Sequence, residues 1–478
     1  MHNLHLICAV IVVLLFQVTA AATAQESKHL ALTLERGERS VAYRLLPPAQ
    51  VVEGQRYPLV LFLHGAGERG GDNSAQLRHF PERMESAAYR EEFPCFVLSP
   101  QCPAGGRWAG ESAPLGQGGS FDAPITSTME DAIATLRAVV REYPIDLDRI
   151  YLTGLSLGGA GAWDLAARHP GWFAAAAPIC GGGDPAAAAR LAGLPISVWH
   201  GGADTAVDPA LSSTMVEALK EVGSDVQYHE LEGVGHGVWA RAYDPDGVLP
   251  WLFEQRRSGE RELAAAAELF AKVARPDLKV AFLGDSITQA GNGDGGYVDL
   301  LRKTLLAMHP EAEVIPAGIS GHKVPDLLAR YETDVIAKGA NLVFVYIGIN
   351  DVWHSQSGRG TPKAEFAEGL RKIVRRLRET GAEVVLATPS VIGEKPQGQN
   401  TLDEMLTEYA AVSRLVAIEE GVTLCDLRQA FLDHLGVFNP DDLPQGVLTR
   451  DGVHLNAAGN VFVATEAARA LREALIKK

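Results

Sequence analysis

Residues 149–164 constrain this chain more than any other stretch. Residues 150–153 have the composition of a buried strand, Gly154-Leu155-Ser156-Leu157-Gly158 sets a serine between two glycines, and a small-residue helix follows without a break. Strand, turn and helix in that order form a nucleophile elbow, a turn tight enough to lift the serine to its apex. A Cβ at Gly154 or Gly158 would collide with the neighbouring strand or helix, so both positions call for glycine. The stretch points to a reactive serine in an α/β sheet.

A serine hydroxyl is a poor nucleophile until a base takes its proton, so a histidine and an orienting carboxylate are required. The strand at 196–199 opens into His200-Gly201-Gly202-Ala203-Asp204, and the strand at 226–231 leads to Gly233-Val234-Gly235-His236-Gly237. Ser156, Asp204 and His236 are therefore the candidate triad, with Asp208, beside Pro209, as the rival for the carboxylate. Residues 57–63 form an apolar central strand ending in His64-Gly65-Ala66-Gly67, and glycines at a strand end let backbone N–H groups turn toward a developing oxyanion. His64 and His200 are read as loop-structuring residues, and His229, which alternates with apolar neighbours, as structural. An antiparallel pair over 30–46, strands at 95–99 and 173–179 and a helix over 129–142 complete an α/β alternation that indicates a mostly parallel sheet.

Together, His64-Gly65-Ala66-Gly67, residues 154–159, residues 200–204 and Gly235-His236-Gly237 resemble the secreted α/β-hydrolase esterases of the feruloyl and acetylxylan esterase type, which are related to polyhydroxyalkanoate depolymerases. The resemblance covers about residues 28–255. It implies Ser156 as nucleophile, His236 as base and Asp204 as orienter. The implied oxyanion donors are the N–H of Leu157 and one from Ala66 or Gly67. Trp108, in Gly105-Gly106-Arg107-Trp108, is a candidate aromatic wall for the acyl or sugar group, or else a surface-loop tryptophan.

The pattern breaks between 254 and 279, where a charged run, an alanine-rich helix over 263–273 and Arg275-Pro276 read as a linker or docking helix. A second α/β unit follows. The strand at 279–283 runs into Gly284-Asp285-Ser286-Ile287-Thr288, a helix starts near Tyr297, and the strand at 341–347 ends at Gly348-Ile349-Asn350-Asp351. Further strands lie at 383–388 and 422–426, and Asp451-Gly452-Val453-His454 precedes Asn456, the expected N-cap of the last helix. An aspartate and a histidine three apart on one loop can approach a serine together. The glycines at 291–296 fit Gly-x-Gly-x-x-Gly but do not directly follow the strand, so no dinucleotide site is expected there. Arg371, Lys372, Arg375, Arg376 and Arg378 alternate with Phe366, Leu370, Ile373 and Leu377 at helical spacing, which makes them a solvated helix face.

The blocks Gly284–Thr288, Gly318-Ile319-Ser320-Gly321, Gly348–Asp351 and Asp451–His454 resemble the SGNH, or GDSL, hydrolase family over about residues 278–474. The resemblance implies a flavodoxin-like three-layer α/β/α fold, Ser286 as nucleophile, His454 as base and Asp451 as its partner. It places the oxyanion against the N–H groups of Ser286 and Gly321 and the side-chain amide of Asn350. Pro316 departs from the asparagine many members carry at the start of the second block, which bears on loop shape. His322, Trp353 and His354, just after these blocks, are candidates for substrate contact.

At 478 residues the chain exceeds one ordinary domain. The expected layout is a signal peptide at 1–24, an α/β-hydrolase domain at 25–255, a linker or docking helix at 256–277 and an SGNH domain at 278–478. Residues 4–18 are mostly apolar and Ala22-Thr23-Ala24 suits cleavage before Gln25, so a secreted or periplasmic protein is expected. The segment before the apolar run carries no Lys or Arg, which leaves a retained anchor as the alternative. A net charge of −16 argues against nucleic acid or anionic membrane as partners. Cys95, Cys102, Cys180 and Cys425 do not make a disulfide framework, and no Cys-x-x-Cys or His-Glu-x-x-His pattern calls for a metal; no cofactor is expected. The expected activity is a bifunctional serine esterase that removes acetyl, and also feruloyl, groups from an acylated plant cell-wall polysaccharide or oligosaccharide. The alternatives are a general carboxylesterase or polyester hydrolase, or one active domain beside a degenerate binding domain.

Overall fold

The computed structural model describes residues 27–477 apart from 38 and 112, so the expected signal segment lies outside the described residues. Two sheets organise the chain. The first has eight strands in the order β1 (Leu30–Arg36), β2 (Arg39–Leu46), β4 (Phe96–Pro100), β3 (Tyr57–Leu63), β5 (Ile145–Leu155), β6 (Ala175–Ile179), β7 (Ile196–Gly201), β8 (Val226–Leu231). β1 and β2 pair antiparallel, as does β2 with β4; every other pairing is parallel. Every residue of β3 is buried, as a central strand covered on both faces must be. Its neighbour β5 aligns Leu63 with Gly154, which sets the loop after β3 beside the elbow after β5.

The second sheet is wholly parallel, in the order β10 (Glu313–Gly318), β9 (Lys279–Gly284), β11 (Leu342–Tyr346), β12 (Glu383–Ala387), β13 (Thr423–Cys425). That is the 2-1-3-4-5 order of the flavodoxin-like fold, whose crevice opens where the chain reverses direction, between β9 and β11. Ser286 follows β9 and Asn350 follows β11, so both lie at this switch point.

The stretch expected as a linker or docking helix docks: its apolar face is part of the second domain's core. Within the helix Gly259–Val273, Leu263, Ala266, Ala267, Phe270 and Ala271 are buried in one cluster with β9, β11 and the helix Ala457–Ile476. Its apolar face is wide enough to demand cover, and a free linker would have left it in water. Its N-cap, Ser258, accepts from the Arg261 N–H and starts the helix directly after a short extended segment. All four described cysteines are buried free thiols. No helix among the described residues is long and apolar enough to cross a membrane.

Candidate active sites

Ser156 is 9% exposed and adopts φ 55°, ψ −115°, a strained conformation for a side chain other than glycine. Its neighbours explain how the strain is held. A Cβ on Gly158 would overlap the Leu63 carbonyl, and one on Gly154 would overlap Gly158 and come within 2.8 Å of the Leu63 oxygen. The helix Leu157–Arg168 can therefore start directly against β3, with Ser156 at the apex.

The loops after β7 and β8 bring the partners. His236 Nε2 lies 3.0 Å from Ser156 Oγ, and His236 Nδ1 lies 2.7 Å from Asp204 Oδ2. A carboxylate only accepts, so Nδ1 carries the proton and Nε2 is free to take one from the serine. Burial works against ionisation of Asp204, but hydrogen bonds from His236 and from the N–H groups of Val207 and Ala206 outweigh it and hold the carboxyl below its usual range. Asp208 is exposed and receives the Ala210 N–H at the start of a helix, away from the triad.

Leu157 opens its helix, so its N–H has no intrahelical acceptor, and Ala66–Glu68 forms a short turn at the end of β3. Gly65 permits the approach: a Cβ there would stand 2.8 Å from Leu155 Cδ1. His64 ties this loop down, accepting the Cys102 N–H at Nε2 and donating from Nδ1 to the Gly65 carbonyl. His200 is likewise buried, against Ser212 and the Val207 carbonyl.

Trp108 forms no aromatic wall. It is 1% exposed, packs edge-on against the His64 ring and donates its indole N–H to the His64 carbonyl at 2.9 Å. A tryptophan whose N–H finds a buried acceptor goes inside, and here it buttresses the loop of Ala66 and Gly67 from behind.

The aromatic that does face the site is Trp239. Its ring meets His236 edge-on at 5.1 Å and His79 at 5.2 Å, and His79 Nε2 reaches the buried Glu68 at 3.5 Å. Trp239 follows the base by three residues, one helical turn, and that spacing is the only sequence signal for it. Cys180, Asp204 and His236 place ligand atoms within 4.8 Å of one another. Asp204 and His236 are already bonded together, however, and burial pushes the Cys180 thiol far up, so it stays protonated and a poor ligand.

The second constellation is built from shorter pieces. Ser286 heads the helix Ser286–Gly291, capped by Asp285, whose Oδ1 accepts the Ile287 N–H. His454 Nε2 lies 2.9 Å from Ser286 Oγ, and its Nδ1 lies 2.8 Å from Asp451 Oδ2. Asp451 Oδ1 accepts the N–H groups of His454 and Val453, and these bonds with the imidazole outweigh burial and keep the carboxyl below its usual range.

Asn350 donates one amide hydrogen to the His322 carbonyl, which fixes the orientation of its side-chain amide. Gly321 takes φ 79° in the turn after β10, a conformation suited to glycine. His322 Nδ1 accepts from Arg330, which also binds the carbonyls of Gly284 and Ala317, so burial and this guanidinium keep the imidazole neutral. The Trp353 ring meets His454 edge-on at 6.4 Å. Beneath the site, burial raises the Asp285 carboxyl to about 7 and that of Asp351 to about 6. A cavity of about 1720 Å³ opens between the two domains, and no residue of either constellation lines it.

Residues 117–274 match the dienelactone hydrolase family and residues 282–461 the GDSL-like lipase/acylhydrolase family. The chain is 32% identical over 204 residues to an acetylxylan esterase of Geobacillus stearothermophilus, covering 90% of it and 39% of this chain. It is 28% identical over 213 residues to the GDSL esterase/lipase CPRD49 of Arabidopsis thaliana, covering 80% of that protein and 42% of this one. Among solved structures, a thermostable esterase is similar at 38% identity and TM-score 0.45, over 48% of this chain but only 64% of its own length. The acetyl xylan esterase AlAXEase is similar at 41% identity and TM-score 0.39, over 40% of this chain and 98% of its own. The chain is thus an acyl-ester hydrolase that belongs to the GDSL-like lipase/acylhydrolase family through its second half, fused to an α/β-hydrolase domain of the dienelactone hydrolase family.

Proposed function

We propose that the protein is a secreted, bifunctional serine esterase that deacylates plant cell-wall polysaccharide, with one active site in each domain. The observation that carries this reading is the pair of separate Ser–His–Asp relays, each closed by two hydrogen bonds at the carboxyl ends of the parallel strands of its own sheet. In each, the histidine takes the serine proton as Oγ attacks the ester carbonyl. The imidazolium, steadied by its aspartate, then protonates the leaving sugar oxygen, and water repeats the sequence on the acyl-enzyme. The N–H groups of Leu157 and of Ala66 or Gly67 would hold the first oxyanion, and Ser286, Gly321 and Asn350 the second.

Acetylated xylan is the favoured substrate class because the acetylxylan esterase is a relative across nearly its whole length. A feruloyl preference is assigned to the first domain on account of Trp239, which offers an aromatic face beside the base. Tethering helps when one polymer carries both acyl groups, since engagement at one site raises the local concentration at the other.

Single Ser156→Ala and Ser286→Ala chains assayed on p-nitrophenyl acetate, methyl ferulate and acetylated xylan test the reading. Each substitution should abolish one component of turnover and the double variant both. A single variant that keeps wild-type activity on every substrate would remove its domain from the proposal. Mass analysis of the exported protein tests secretion through cleavage before Gln25.

A further inference from the structure

The segment leading to the second site's base is held from within its own domain and is also gripped at its start by the first domain. The helix Leu427–Phe438 ends in Val437 and Phe438, and both side chains are buried in the first domain's core cluster, among Ile133, Leu136, Val140 and Trp172. Val447 packs against the same cluster. Two polar pairs reinforce the contact: Arg137 to Asp433 at 2.9 Å and Arg141 to Asp442 at 2.6 Å, both arginines on the first domain's helix Ser127–Glu142. Gly436 lets Arg137 lie across the helix, since a Cβ there would stand 2.8 Å from its Nε. The Arg257 guanidinium covers the Phe438 ring at 4.1 Å.

From Phe438 onward the chain is pinned at nearly every step. Asn439 donates to the carbonyls of Glu394 and Leu443 and accepts the Leu443 N–H. Glu394, fully buried, accepts the N–H groups of Val447, Leu448 and Thr449 and the Thr449 hydroxyl. The Gly393 N–H reaches the Gly452 carbonyl, and Asp451 and His454 follow directly. The dependence runs one way: among the described residues, no hydrogen bond or ion pair joins the loops of Asp204 and His236 to the second domain.

We propose that the first domain is a brace for the second active site, fixing residues 439–454 and so holding His454 at hydrogen-bond distance from Ser286. Its kinetic consequence rests on Ser286 being an active nucleophile; its structural consequence does not. A base displaced by about 1 Å loses much of its catalytic advantage, so turnover at the second site should depend on the domain contact.

The test uses the full chain carrying Ser156→Ala, with p-nitrophenyl acetate for the second site. Arg137→Glu with Arg141→Glu sets like charges against Asp433 and Asp442 while leaving the second domain's own residues untouched. The expected result is a fall in kcat of about tenfold with KM within threefold, and faster amide exchange across 439–454. Adding Asp433→Arg and Asp442→Arg should restore both. Unchanged kcat and exchange would overturn the proposal, as would a loss that the charge swap does not repair. A Ser156→Ala chain with no turnover at all would defeat the assignment of Ser286 instead, and the exchange measurement would still decide the brace.

Discussion

Glu394→Gln is the sharpest single perturbation of the second domain. Glu394 Oε1 accepts the N–H groups of Leu448 and Thr449 and the Thr449 hydroxyl at 2.6 to 2.8 Å, and Oε2 accepts the Val447 N–H at 2.8 Å. An amide in the same place can keep its oxygen toward the first three donors but must turn its NH₂ against the Val447 N–H. One buried hydrogen bond is replaced by two opposed donors, and the other three lose their charge assistance. With charge-assisted bonds worth about 1.5–3 kcal/mol and neutral ones about 1, and with some relief from burying a neutral group, the net cost is roughly 2–4 kcal/mol. For a domain of this size that lowers the melting temperature by roughly 5–15 °C. Differential scanning calorimetry of the full chain should show the shift in the second domain's transition, with loss of Ser286-dependent turnover at the same lower temperature. A transition within about 2 °C of wild type would refute the claim that this carboxylate pins the loop.

Gly158→Ala should abolish turnover at the first site while leaving the second within twofold, because the new methyl would overlap the Leu63 carbonyl. Substantial residual activity in a Ser286→Ala background would contradict the packing of the elbow. Trp239→Ala in the same background should raise KM for methyl ferulate roughly three- to tenfold, the worth of one aromatic contact, with kcat on p-nitrophenyl acetate little changed. Equal losses on both substrates would mean that Trp239 only packs against His236. The domains should also differ in acid stability. Burial, with nearby arginines, holds His64 at about 4 and His169 at about 3, so their contribution to the first domain's stability is complete above pH 6.5 and is lost as the unfolded chain takes up protons below it. His434, at about 3, acts the same way in the second domain, but Asp285 and Asp351 bind protons in the folded state first and offset it between pH 7 and 4. Calorimetry at pH 7 and pH 5 should show the first domain's transition falling further, and parallel shifts would refute the assignment.

Much of this molecule was legible in its residues because the chemistry is local there. Gly154, Ser156 and Gly158 specify a turn by steric exclusion alone, and Asp451 and His454, three apart, meet through their own loop's hydrogen bonds. Apolar strands alternating with helices predicted a mostly parallel sheet in the first half and a second α/β unit after it, and the motif blocks, through the two families they resemble, named which serine, aspartate and histidine the fold draws together. Trp108 was misplaced because its burial depends on a carbonyl acceptor 44 residues earlier, at His64. The sequence leaves the helix Gly259–Val273 open between linker and docking helix, because an alanine-rich amphipathic segment does not reveal what covers it.

The sequence by itself determined the local geometry: the elbow, the glycine-permitted turns and the periodicity of the two sheets, all set by steric and hydrophobic rules acting over a few residues. Only the tertiary structure decided which side chains share space across long separations. Trp239 against His236 and His79, Glu394 under the base loop, and the first domain against Phe438 all follow from packing two closed cores together, where every buried polar group must find a partner wherever in the chain that partner lies.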